Sequence, residues 1–122
     1  SLIVSKIIQM MEAARDMFRR AMDVFISRDI EEAKDICASD DYVDNMFSKI
    51  ILEISSTITQ SSNVMGDVDL LLITKYAERM ADHATNIAEW VIYIETGEHP
   101  DLNKHELSSP YVRAGNDSEE ES

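Results

Sequence analysis

The stretch Tyr76-Ala77-Glu78-Arg79-Met80-Ala81-Asp82-His83-Ala84-Thr85-Asn86-Ile87-Ala88-Glu89-Trp90 decides the fold of this 122-residue chain. Its apolar positions belong to a longer row: Leu70, Ile73, Ala77, Met80, Ala84, Ile87, Val91 and Ile94. Steps of three and four return to one side of a helix that turns every 3.6 residues, whereas a strand alternates at two. One unbroken helix is therefore expected, capped at Asp67 or Asp69 and stopped by Gly97.

Working outward, residues 3–25 carry the same rhythm twice. Ile3, Ile7, Met10, Ala14, Met17, Ala21 and Val24 keep it without a break. Beside them run Val4, Ile8, Met11, Phe18, Met22 and Phe25, interrupted only by Arg15. Two adjacent rows make a wide face, suited to a helix that touches two partners. Asp29 then reads as an N-cap, with Glu32 at the third helical position completing a capping box. The helix it opens carries Ala33, Ile36, Cys37, Val43, Phe47, Ile50, Ile51, Ile54 and Ile58, and ends in the polar run Thr59 to Asn63 before Gly66. Short connections between long helices force antiparallel neighbours. The prediction is an all-α, up-down-up three-helix bundle over residues 1–97, followed by an acidic tail, residues 98–122, that is mobile or loosely docked. A single bundle of this kind is thin, and homo-oligomerisation or a partner surface is expected to cover it.

Composition narrows the function. Eleven Lys and Arg against 24 Asp and Glu give a net charge of −13. Such an excess disfavours nucleic acid, which is gripped by bases that release its counterions, and anionic lipid, which rewards basic clusters. One cysteine excludes an internal disulfide and cysteine-rich zinc modules. No apolar run approaches the roughly 20 residues of a membrane-spanning helix. The chain reads as soluble and cytoplasmic, and its initial Ser1 reads as a processed end or a fragment. No glycine elbow surrounds a serine and no Gly-x-x-x-x-Gly-Lys loop is present, so no enzyme chemistry suggests itself.

The acids themselves carry the strongest signal. Asp40 and Asp44 fall on the row Ala33, Cys37, Asp40, Asp44, Phe47, Ile51, inside the apolar arc of the second helix. A carboxylate turned toward low dielectric is costly unless a cation or metal meets it. Glu78 and Asp82 form a second pair four apart on the third helix, beside its main seam. Four carboxylates on neighbouring helices offer hard oxygen donors, suited to iron, manganese, magnesium or calcium better than zinc. The alternative is that both pairs are solvated faces of a metal-free helical adaptor. A carboxylate-bridged metalloenzyme is disfavoured, because such sites use a Glu-x-x-His step and His83 stands five residues after Glu78. Tyr76, His83 and Trp90, seven apart, make an aromatic stripe on the opposite flank from Glu78, fit for contact with another bundle.

The stretch from Tyr76 to Trp90 closely resembles the signature of the PhoU family of phosphate-uptake regulators, whose third helix reads Leu-Glu-Arg-Ile-Gly-Asp-His-Ala-x-Asn-Ile-Ala-Glu. Val91 to Glu98, Phe25 to Asp29 and Asp40 to Asp44 also resemble that family. Ala81 stands at the frequent glycine, a small-for-small change. Family members have two three-helix repeats, and this chain is similar to one, of C-terminal type. It reads as a C-terminal half or as a single-repeat relative that dimerises. The resemblance implies metal held by paired (Glu/Asp)-x-x-x-Asp motifs, here Asp40, Asp44, Glu78 and Asp82, with iron favoured. It also implies a non-enzymatic negative regulator linking the phosphate ABC transporter, through its ATPase subunit, to a sensor kinase. Arg79 is expected to pair with a neighbouring acid, and His83, Asn86, Glu89 and Trp90 to support the metal or touch a partner.

Overall fold

The computed structural model describes residues 2–97. Helix α1 spans Leu2–Ser27, α2 spans Ile30–Thr57 and α3 spans Val64–Thr96, with a short 3-10 turn at Ile58–Gln60 before α3. No strand occurs among the described residues. Ion pairs between Lys6 and Glu53 (3.0 Å) and between Arg20 and Glu32 (2.6 Å) tie the start of α1 to the end of α2 and the end of α1 to its start. These two helices therefore run antiparallel. Lys75 over the Phe47 ring ties the first half of α3 to the second half of α2. The up-down-up bundle expected from periodicity is the observed fold. The predicted tail, residues 98–122, lies outside the described residues.

The two rows of α1 part company. Ile7, Met10, Ala14, Met17, Ala21 and Val24 are buried, while Val4, Ile8, Met11, Phe18, Met22 and Phe25 are exposed. From α2 the core takes Ala33, Ile36, Val43, Ile50 and Ile54; from α3, mostly alanine, at positions 77, 81, 84 and 88. Met10, Ile36 and Ile50 are among the largest fully buried side chains. Each adds about 1.5–3 kcal/mol by leaving water.

Two residues connect α1 to α2. Arg28 adopts a left-handed conformation (φ 63°), and its amide donates to the Val24 carbonyl at 2.8 Å, closing α1. Asp29 caps α2, its side chain accepting from the Glu32 amide at 3.2 Å, as the sequence suggests. The reciprocal half of the capping box is replaced. Glu32 turns to Arg20, and the Asp29 amide donates to the Ser27 hydroxyl at 3.3 Å. Arg20 also pairs with Asp35. The Glu32 hydrogen bond is the main cause that raises the Arg20 guanidinium above its ordinary value, against a lowering by burial.

The start of α3 differs from expectation. Asn63 is its N-cap, not Asp67 or Asp69, and the Asn63 side chain accepts from the Gly66 amide at 3.0 Å. Asp67 lies in the first turn, where it faces the positive helix end without capping it. The apolar row begins one turn inside the helix, so it does not mark the helix start. Gly97, at φ 78° with its amide on the Tyr93 carbonyl at 2.7 Å, ends α3 as predicted. No helix among the described residues is long and apolar enough to cross a membrane.

Candidate metal centre

Helices α2 and α3 meet along an interface whose middle is acidic. Asp40 and Asp44 lie one turn apart on α2, and Asp82 faces them from α3. Oxygen atoms of these three carboxylates lie within 4.8 Å of one another. Asp40 is buried, at 7% exposure, and Asp44 and Asp82 are half-buried. The helical register explains the gathering. Asp40 follows Ile36 by four and precedes Val43 by three, so the turns that bury those two also carry Asp40 inward.

The spacing suits a hard cation. Oxygen ligands on opposite sides of a divalent ion at roughly 2.1–2.4 Å would be about 4.2–4.8 Å apart. Without a counter-charge, two ionised carboxylates at that distance repel by about 1–4 kcal/mol, between water-like and protein-surface dielectrics. The donor set is all oxygen, which fits iron, manganese, magnesium or calcium more closely than zinc. The residues present thus fit the group that the family resemblance implies.

The fourth acid of the expected set stands apart. Glu78 is half-buried, one turn before Asp82, and its carboxylate accepts from Lys75 at 2.6 Å. The remaining expected residues divide between two sides of α3. Glu89, on the stripe that passes through Glu78, Asp82 and Thr85, is 1% exposed. That burial leaves it no surface to offer a partner. Thr85 beside it is also buried, its hydroxyl donating to the Ala81 carbonyl at 3.0 Å. His83, Asn86 and Trp90 instead face the α1 side of α3, where with Phe25 and Ile87 they line a shallow hollow. Arg79 is exposed and makes no ion pair among the described residues, contrary to the expected pairing.

One feature of that α1 side escapes sequence reading. Phe25 and Trp90 stack with ring centroids 5.6 Å apart, and the Arg28 guanidinium lies over both, at 5.2 and 5.5 Å. The seven-residue spacing of Tyr76, His83 and Trp90 identifies the α3 half. The α1 half depends on the left-handed turn at Arg28, which no periodicity reports.

Comparison with known proteins gives the family. The model of the PhoU domain matches residues 7–91. A phosphate-specific transport system accessory protein PhoU homologue of Clostridium acetobutylicum is 30% identical over 102 residues, covering 83% of this chain and 47% of its own length. Homologues bearing the same description in Rhizobium meliloti and Thermotoga maritima are 33% and 34% identical, each over 73% of this chain and over 38% and 42% of their own lengths. The chain thus spans about half the length, or less, of the curated relatives it matches. No solved structure matches. The matched region runs from the first buried turn of α1 to the last core residues of α3, and the chain belongs to the PhoU family.

Proposed function

We propose that this chain is a regulatory, non-enzymatic component of phosphate uptake and phosphate-starvation signalling. In this reading it holds a hard metal ion at Asp40, Asp44 and Asp82. It acts as a homo-oligomer through contacts with the ATPase subunit of the phosphate transporter and with a phosphate-responsive sensor kinase. The relatives named as accessory proteins of phosphate-specific transport support the regulatory part. The observation that carries the metal part is the convergence of three carboxylates from two helices, one of them buried.

A bound cation would neutralise the acids and brace α2 against α3. Iron is favoured by family resemblance, with manganese, magnesium and calcium as oxygen-loving substitutes and zinc the least suited. Glu78 joins the set by rotating away from Lys75, and Glu89 supports the ligands from inside the bundle. Elemental analysis of gently purified protein, beside an Asp40→Asn/Asp82→Asn double variant, tests the site. Stoichiometric metal in the parent and little in the variant is expected. Equal, negligible metal in both would sink it and leave a metal-free helical adaptor. A Glu78→Gln arm reports whether that residue is a ligand, since a pure Lys75 partner leaves the metal content unchanged.

A further inference from the structure

The exposed face shared by α1 and α3 carries two hollows. One, of about 230 Å³, is lined by Phe25, His83, Asn86, Ile87 and Trp90. The other, of about 420 Å³, is lined by Met11, Glu12 and Arg15 of α1 and by Tyr76, Ala77 and Met80 of α3, among others. On α3 the first hollow runs from His83 to Trp90 and the second from Ile73 to Met80. Counted back from Gly97, where α3 ends, their centres lie about 16 Å and about 31 Å along the axis. Past Gly97 the chain continues as His99-Pro100-Asp101-Leu102-Asn103-Lys104-His105-Glu106-Leu107, outside the described residues. An acid followed by a leucine occurs there twice, five positions apart. Drawn out at about 3.3 Å per residue, the chain brings Leu102 about 16 Å and Leu107 about 33 Å from Gly97. The two leucines therefore match the two hollows both in reach and in separation.

We propose that residues 98–109 of the same chain return along this face, with Leu102 in the hollow beside Trp90 and Leu107 in the hollow beside Met11 and Met80. Charge selects the face. The chain as a whole carries −13, yet Arg15, Lys49 and Arg79 make no ion pair among the described residues. Two of these three stand at the larger hollow, Arg15 in its lining and Arg79 next to Met80. Direction agrees as well. Helices α1 and α3 run the same way, so a segment arriving from Gly97 meets Arg15 before Glu12, which lies one turn further on. It likewise presents Glu106 before Leu107. Glu106 thus reaches the two arginines as the leucine enters the hollow, short of Glu12. Attachment through Gly97 supplies a local concentration of millimolar order, so two leucines and one ion pair suffice. The segment covers part of the apolar face, and any partner that uses this face must displace it. The inference rests on neither the metal nor the transporter contacts proposed above, so each can fail without the other.

A nitroxide on Ser109→Cys, in a Cys37→Ser background of the full 122-residue chain, tests this by its broadening of methionine methyl signals. Docking should broaden Met11 and Met80 more than Met22. A label swinging freely about Gly97 gives the reverse order, because Met22 is level with a point about 15 Å from Gly97, Met80 about 26 Å and Met11 about 31 Å. Leu107→Asp, which lies outside the bundle and leaves its core untouched, should restore that reverse order. Arg15→Glu, on the exposed rim, should reduce the docked population about two- to fivefold, the size of an exposed ion pair. Mixing spin-labelled chains with methyl-labelled chains that carry no nitroxide should broaden nothing. Broadening that is greatest at Met22 in the parent would overturn the proposal. So would an order that Leu107→Asp leaves unchanged, or broadening of Met11 and Met80 in the mixture, which would mean that a second copy supplies the segment.

Discussion

Asp40 shows how one side chain sets opposite demands on the bundle with and without a cation. In metal-free protein it sits within 4.8 Å of two other carboxylates, and Asp40→Asn removes both repulsions. The variant should then melt a few degrees above the parent in chelator, a gain of about 1 kcal/mol. On adding metal the parent should rise and the variant should not, so the two curves cross. A variant less stable than the parent in chelator would contradict the repulsion. Arg20 is a cation held by two acids. It bridges α1 to Glu32 and Asp35 with its side chain only 20% exposed, and Arg20→Gln should cost about 1 kcal/mol by chemical denaturation. At this scale the sequence was informative where a polar residue broke an apolar row, as at Asp40 and Asp44. It was silent where a long side chain chose its partner. Glu78 reaches Lys75 through one rotatable bond more than an aspartate has, and Glu89 is buried although its stripe reads as a solvated flank.

For the helices, the ends carry more information than the middles. Asn63→Ala should cost about 1 kcal/mol, because the Gly66 amide loses its acceptor, whereas Asp67→Ala should cost only a few tenths through the helix dipole. Thermal melts of the two variants check the assignment, and a larger effect at Asp67 would argue for the cap expected from the apolar row. That row found the helix but not its start, and Ile73, Met80 and Ile94 on it are exposed while Ala81, Ala88 and Ile92 beside it are buried. Val64 and Met65 are exposed and contribute nothing to the core, so periodicity had nothing to register there. Asp29 was legible because its cap immediately precedes the first core residues of α2. The partner of Glu32 was not, since it depends on which helix lies alongside.

On the scale of the whole molecule, up-down-up topology was readable from connection length alone, because a two-residue link such as Arg28-Asp29 leaves the next helix no other direction. Which of the two α1 rows would be buried was not readable, since both are equally apolar and only the arrival of α3 distinguishes them. If copies of the chain associate, the melting temperature should climb with protein concentration, by about RT ln of the dilution factor in free energy. A melting point that stays fixed over a hundredfold range would argue against association in the folded state. The alanines at 77, 81, 84 and 88 bear on something else. A seam of small side chains has shallow relief, and a slip of seven residues sets Ala84 where Ala77 stood and Ala88 where Ala81 stood. Packing along that seam therefore discriminates weakly between registers. Alignment of α3 is helped instead by charged contacts on either side of the acids, Lys75 over the Phe47 ring of α2 and Arg28 beside Glu95 at 3.9 Å. Their geometry, more than their modest energy, decides where the three aspartates come to lie.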